Sequence, residues 1–393
     1  MSNDPIVIVS AKRTPIGAFQ GALSGAKSRE LGATAIKAAL EAAGIKGEDV
    51  NEVFMGCVLP AGLGQAPARQ AALGAGLPKE TGCVTINKVC GSGMKTTMMA
   101  ADLITAGSAD IIVAGGMESM TNAPYLLPNA RGGMRMGHQQ VIDHMFFDGL
   151  QNPYDGQMMG NFGEQCAEKY NFTREQQDEF SIESIKRAQA SVAEGRFADE
   201  LAPVTVKHRK GETVVDTDEE PGRANVEKVP QLRPAFAKDG TVTAASSSSI
   251  SDGAAALVLM RQSEAEKRGL KPLAKIVGHA GHAQEPEWFT TAPVGAISNV
   301  LAKTGWKAGD VDLYEINEAF AVVTMAAMKE HDIPHDKVNI NGGACALGHP
   351  IGASGARLIV TLVHALKARN LKKGVASLCI GGGEATAIAV EML

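Results

Sequence analysis

Asn87-Lys88-Val89-Cys90-Gly91-Ser92-Gly93-Met94 decides how the rest of this chain is read. An apolar-leaning run over 82–86 leads into it. A helical pattern over 94–106, rich in Met, Ala, Leu and Ile, leads out. A single cysteine therefore stands where a short loop becomes a helix. Gly91 and Gly93 let another backbone, or a ligand, come close. The first amides of a helix lack internal partners and carry the positive end of its dipole. Both effects favour the thiolate, the nucleophilic form of cysteine. A buried structural cysteine is the competing reading of this stretch taken alone.

Outward from this stretch, strand and helix patterns alternate. Towards the N-terminus, residues 6–10 read as a buried strand, 11–17 as a turn or loop, and 28–43 as a helix closed by Gly44. Residues 50–58 read as a strand and 66–74 as a helix. After the cysteine and its helix, 110–114 is a strand ending in Gly115-Gly116-Met117-Glu118-Ser119. This order predicts a mostly parallel sheet covered on both faces. The pattern changes over 121–248. There 125–137 is rich in Arg, Gly, Pro and Asn, with methionines at 134, 136, 145, 158 and 159 nearby. Those methionines read as core or interface filler, or as an adaptable pocket lining. A long amphipathic helix over 173–194 opens with the capping-box pattern Thr173-x-x-Gln176, and 204–218 is β-like. The region reads as an inserted, loop-rich domain. Regular order returns with strands at 253–260, 274–283, 313–316, 338–340 and 374–380. Helices fall between them at 263–268, 293–304, 319–329 and 354–368.

The two ends of the chain echo each other. Gly91-Ser92-Gly93-Met94, a helix, a strand and Gly115-Gly116-Met117-Glu118 make one set. Ala353-Ser354-Gly355-Ala356, a helix, a strand and Gly381-Gly382-Gly383-Glu384 make the other. A duplicated α/β unit explains the match. It would place both loop–helix junctions on one face, where Cys90 could meet residues of the second half.

Composition narrows the function classes. The chain has 393 residues, 45% hydrophobic and 21% charged, which fits a globular protein of two or three domains or a duplicated unit with an insert. A net charge of -5, the absence of a dense basic run and only 4% aromatic residues argue against nucleic acid as a partner. Cysteines at 57, 83, 90, 166, 345 and 379 include no C-x-x-C pair, which argues against a zinc or redox site. They predict reduced thiols and a cytoplasmic setting. Ile6-Val7-Ile8-Val9 follows too soon after the start for a signal peptide, and no apolar window is long enough for a membrane span.

Three further stretches carry reactive groups, two of them in glycine-rich loops. Asn317-Glu318-Ala319-Phe320 follows a strand and opens a helix. Asn341-Gly342-Gly343 leads to Gly348-His349-Pro350 ahead of another helix. Cys379-Ile380-Gly381-Gly382-Gly383 puts a second cysteine at a strand end. Taken singly, the histidine is most simply a satisfied polar group and the cysteine a core residue. Together with Cys90 they supply a nucleophilic thiol, a base, a second acid/base and N–H donors for an oxyanion.

With Ala11-Lys12-Arg13-Thr14-Pro15-Ile16-Gly17 added, these stretches run nearly end to end, and the chain resembles the thiolases. Among them it is most similar to those that join two acetyl-CoA. The resemblance implies a duplicated five-layer α-β-α-β-α core. Residues 1–120 with 249–270 would form the first half, 271–393 the second, and 121–248 an inserted domain for coenzyme A binding and tetramerisation. It implies that Cys90 becomes acylated, that His349 takes its proton, and that Cys379 moves the α-proton. Asn317 would hold a water in one oxyanion hole with His349, and the amides of Cys90 and Gly381 would form the other. Coenzyme A would meet Arg223 at its nucleotide end, a residue that reads equally as a solvated charge. Leu232, Phe236, Ala244 and Ser248 would line the pantetheine tunnel, with Met159, Ala319, Phe320 and Leu150 at the acyl end. No metal or cofactor is implied, only acetyl-CoA, acetoacetyl-CoA and coenzyme A as substrates and products, in a homotetramer or dimer.

Departures from the family pattern bear on chain length. Met158 stands where short-chain members carry histidine, Ala244-Ala245-Ser246-Ser247-Ser248-Ser249 where Asn and Gly are common, and Trp288-Phe289-Thr290 where Val-Met-Gly-like residues are common. A degradative 3-ketoacyl-CoA thiolase is the alternative within the resemblance, and an inactive acyl-CoA-binding relative a remote one. A ketoacyl synthase is disfavoured by Cys379.

Overall fold

The architecture is set by two helices packed back to back between two sheets. The computed structural model describes residues 4–209 and 211–393. In chain order its main elements are β1 (Ile6–Arg13), α1 (Ser28–Ala43), β2 (Glu52–Gly56), α2 (Pro67–Gly74), β3 (Gly82–Ile86), α3 (Ser92–Ala106) and β4 (Ile111–Ser119). The segment after β4 contains α4 (Met159–Tyr170) and α5 (Arg174–Ala193). There follow β5 (Ser251–Arg261), β6 (Ala274–Ala283), α6 (Ala292–Thr304), β7 (Leu313–Ile316), α7 (Ala321–Glu330), α8 (Ser354–Arg369), β8 (Lys373–Ile380) and β9 (Glu384–Met392).

The strands run β7-β8-β9-β6-β1-β5-β4-β2-β3. The two halves of this order are joined only by a short pairing, Val7 with Lys275 and Ile8 with Ala274. Each half repeats one plan. A strand (β1 or β6) leads to an outer helix (α1 or α6). Then come a strand (β2 or β7), a second helix (α2 or α7), an edge segment, a central helix (α3 or α8) and two final strands. The edge segment of the second half is reduced to one bridge between Val338 and Tyr314.

Three apolar clusters mark the layer boundaries. One joins Leu31, Ala35 and Ile36 of α1 to Val53 of β2 and Val113 of β4. The central one joins Met94 and Met98 of α3 to Leu358, Ile359 and Leu362 of α8 and to strands of both sheets. The third joins Ala296, Ile297 and Val300 of α6 to Val375 and Ala387. The layers are therefore α1/α2, sheet, α3/α8, sheet, α6/α7. Both sheets are covered twice, which is why β5 is buried along nearly its whole length.

Local signals explain the elements. Thr173 caps α5 in a complete capping box with Gln176, and Gly44, in the left-handed region at φ 66°, closes α1. Three readings need correction. The sheet is mixed: among the strands named, β2–β3, β2–β4 and β7–β8 pair in parallel and the others antiparallel. Each half ends by turning back antiparallel, β4 with β5 and β8 with β9. The strand expected to stop at Ala114 continues through Gly115 and Gly116, which pair with Ala256 and Ala255. Arg13, assigned to a loop, ends β1.

Candidate active site

The cysteine loop is strained and bolted down. Val89 has φ 45°, in the left-handed region that a β-branched residue avoids. The Asn87 side chain accepts from the Val89 amide at 2.9 Å. Ser92 Oγ donates to the Val89 carbonyl at 2.6 Å and accepts from the Lys88 amide at 2.8 Å. Lys88 forms an ion pair with Glu384, across the turn that follows Cys379. These bonds hold Cys90 ahead of α3, whose N-cap is Gly91.

Cys90 is half-buried, and the backbone amides of Gly381 and of Cys90 itself favour its thiolate. Burial nevertheless pushes its thiol up to about 11, and the charge of Glu118 adds to the rise. Two influences therefore oppose each other: the amides favour the thiolate, as the sequence leads one to expect, and desolvation favours the thiol. Cys379, at the end of β8, is 1% exposed. Burial drives its thiol well above the ordinary value, and the neighbouring Cys90 contributes.

His349 comes from the loop before α8. Its Nδ1 lies 2.5 Å from Ser354 Oγ, and that hydroxyl donates to the Pro350 carbonyl at 2.9 Å. Ser354 can therefore only accept from the ring, which assigns the proton to Nδ1 and leaves Nε2 bare. Nε2 lies 3.5 Å from Asn317 Nδ2. Burial, then Arg357, lowers the histidine to about 3, so the ring is neutral. Asn317 is fully buried, its backbone is tied to Ser377 at 3.0 Å, and its Oδ1 has no protein partner. An unpaired buried carbonyl oxygen beside a bare ring nitrogen is a place for a polar guest.

A cavity of about 200 Å³ opens onto His349. Of the residues expected to bind substrate, Leu150, Met159, Phe236, Ser248, Ala319 and Phe320 line it. Phe236 and Phe320 meet edge to face with centroids 5.9 Å apart, and the Ser248 amide donates to the Ala319 carbonyl at 3.0 Å. Arg223, Leu232 and Ala244 lie outside its lining. Arg223 is exposed and paired with Glu219 at 3.4 Å, Leu232 is half-buried, and Ala244 is exposed. Met158 is in the lining, so the departure from histidine faces the cavity. Sequence reasoning missed Met120, Phe146, Ile250 and Ile351, which also line it. Only the location of Ile351 beside the histidine motif could have signalled one of them. It also missed a second hollow of about 390 Å³, lined by Val89, Phe147, Tyr154 and Gly381, that shares Met159 with the first.

Known proteins match the chain along its whole length. The model of the thiolase N-terminal domain matches residues 6–263, and that of the thiolase C-terminal domain matches 270–392. An acetyl-CoA acetyltransferase of Chromobacterium violaceum is 52% identical over 98% of this chain and 99% of its own. One of Schizosaccharomyces pombe is 50% identical over the whole of both chains. The crystal structure of the Bacillus anthracis acetyl-CoA acetyltransferase superposes with a TM-score of 0.97 at 42% identity, covering 99% of each chain. Two matched domains across a duplicated five-layer core place this chain in the thiolase family.

Proposed function

We propose that this chain is an acetyl-CoA C-acetyltransferase, which reversibly joins two acetyl-CoA into acetoacetyl-CoA and coenzyme A through an acetylated Cys90. The observation that carries the reading is the site itself: a thiol under two backbone amides, a neutral histidine with a bare nitrogen, and a second thiol beside the first. The names of relatives about half identical along the full length support the substrate.

In the cleavage direction, Cys90 gives its proton to His349 Nε2 and its sulfur attacks the ketone carbonyl. The amides of Cys90 and Gly381 hold the oxygen that becomes negative. The carbon–carbon bond breaks, and the electron pair left on acetyl-CoA takes the proton of Cys379. Coenzyme A then attacks the acetyl-cysteine, its thiol proton passes to Cys379, and Cys90 leaves with the proton held by His349. Condensation is the reverse. Raised by burial, Cys379 carries its proton at neutral pH and, once it has given it up, is the stronger base for the α-proton in condensation. Asn317 orients a water that, with His349, holds the thioester oxygen of the second acetyl-CoA. Every step moves a proton or an acyl group among these side chains, so coenzyme A thioesters suffice as reactants.

The repeated order of elements supports a division into 1–120 with 249–270, 271–393 and an insert at 121–248. The insert supplies Leu150, Met159, Phe236 and Ser248 to the cavity, which supports a coenzyme A-binding role. Tyr125, Leu127, Met136 and Val141 are exposed apolar side chains of the same segment, which supports a homotetramer built through it. The free cysteines support a cytoplasmic enzyme, and among the described residues no helix is long and apolar enough to cross a membrane. A second reading, a 3-ketoacyl-CoA thiolase of broader chain length, draws on the hollow beyond Met159.

The test is thiolysis of 3-ketoacyl-CoA substrates of four carbons and upward. A sharp preference for four carbons is expected, and comparable rates at six and beyond would replace this reading with the second. Cys90→Ser abolishes turnover, whereas Cys379→Ala still acylates Cys90, more slowly because coenzyme A then leaves as its thiolate, and forms no carbon–carbon bond. A Cys379→Ala variant that failed to acylate would reverse the division of labour.

A further inference from the structure

Glu118 is fully buried at the end of β4, and no step above uses it. One carboxylate oxygen accepts from the Val58 amide at 2.9 Å and the Gly352 amide at 3.0 Å. The other accepts from the Leu59 amide at 3.3 Å and the Cys57 thiol at 3.6 Å. Residues 57–59 follow β2 in the first half, and Gly352 stands three residues after His349 in the second. Val58, Leu59 and Ile351 share one apolar cluster with Cys90. The fit is close: a Cβ on Gly352 would come within 2.6 Å of the carboxylate, and one on Gly116 within 2.0 Å of the Gly352 carbonyl.

We propose that Glu118 is a positioning residue for His349, its carboxylate tying the histidine loop of the second half to the segment beside Cys90 in the first. Two contacts thus fix the base. Ser354 sets the ring, and Glu118 sets the backbone that carries it. Only an ionised carboxylate accepts from all four donors. A carboxamide has one acceptor oxygen and turns an NH2 group towards donors that then go unmet. Burial raises Glu118 to about 7 against the pull of those same donors, so the tie forms as pH rises through neutrality. The titratable groups around it are Cys57, Cys90 and, along the tied loop, His349.

The inference rests on His349 being the base for Cys90. That reading has its own test: a His349→Ala variant acylated as fast as the parent would remove it, whatever Glu118 does. With it intact, Glu118→Gln lowers kcat for acetoacetyl-CoA thiolysis by about tenfold or more per titratable Cys90. It leaves KM for coenzyme A within about twofold, since no contact to the insert is touched. The parent loses kcat as pH falls through about 7, and Glu118→Gln lacks that limb. Cys57→Ala removes one donor without a cavity of consequence, so the limb moves to higher pH even if Glu118→Gln fails to fold. A kcat within twofold of the parent, a loss that vanishes per titratable Cys90, or a limb that Cys57→Ala leaves in place would each overturn the assignment.

Discussion

Ser92 and Ser354 occupy the same position of the repeated plan and do the same work. Each opens a central helix, and each reaches back with its hydroxyl to hold the loop that carries a reactive side chain. Cys90, His349 and Cys379 could be read as candidates because each sits in or next to a glycine-rich stretch where an element begins or ends, and Asn317 because it stands between a strand and a helix. Their protonation states were not, because they depend on depth, which no local pattern encodes. His349 makes the point measurable. The ring is neutral in the fold down to about pH 3, while in the unfolded chain it charges below about 6.5. The unfolded state therefore binds the extra proton between those values, and stability falls as pH drops through them. His349→Ala removes this contribution. Its stability relative to the parent should improve by about 1.4 kcal/mol per pH unit between pH 6 and pH 4. Urea midpoints for both proteins across that range would show it, and parallel curves would mean that the folded ring takes up a proton.

At the level of elements, the decisive contact is the crossing of α3 and α8. A Cβ on Gly355 would meet the Met94 amide nitrogen at 2.4 Å, and one on Gly93 the Ala356 nitrogen at 2.8 Å. The paired Ser-Gly sequences of the two halves are thus the two sides of one contact, and their match was readable before the contact was. Strand direction was less readable. Alternation of strands and helices predicts crossovers, but β9 follows β8 through the three-residue turn Gly381–Gly383, with φ 96° at Gly382 and 89° at Gly383. In the first half the 121–248 insert occupies the place of that turn, which hid the equivalence of β4–β5 with β8–β9. The crossing carries Cys90 at one helix start and His349 at the other, so separating the helices separates the reacting pair. Gly355→Ala should cost about 1–3 kcal/mol of stability through overpacking. It should also lower kcat by tenfold or more, as displacements near 1 Å do. The conservative control Ala356→Gly, at the same junction, removes a methyl group without driving the helices apart. If Gly355→Ala matched that control in kcat, the crossing would not set the geometry of the site.

Over the whole molecule, three bodies must keep one registration: two halves and an insert that supplies part of the cavity wall. Arg13 lies where they meet. Its Nε contacts Glu200 Oε1 at 2.5 Å, and Nη1 and Nη2 contact the two oxygens of Asp218 at 2.7 and 2.8 Å, with the guanidinium 4.8 Å from the Phe197 ring centre. Arg13 ends β1, Glu200 and Asp218 belong to the insert, and Glu200 also accepts from Thr361 of α8 at 3.1 Å. The whole group is almost fully buried. Such a cluster gains little over an apolar one of the same shape, because desolvation offsets attraction, but removing one member strands the rest. Arg13→Met should therefore destabilise by about 3–5 kcal/mol. It should also open 121–248 to proteolysis and raise KM for coenzyme A more than it lowers kcat, since Cys90, Asn317, His349 and Cys379 stay on the core. The cause can be separated from simple loss of packing. Without Arg13 the two carboxylates are held apart from water with no counter-charge, so neutralising them as well should restore part of the loss. Thermal midpoints of Arg13→Met alone and combined with Glu200→Gln and Asp218→Asn decide the matter. A combined variant no more stable than Arg13→Met would assign the contribution of Arg13 to its packing on Phe197 and leave the charges without a part in registration.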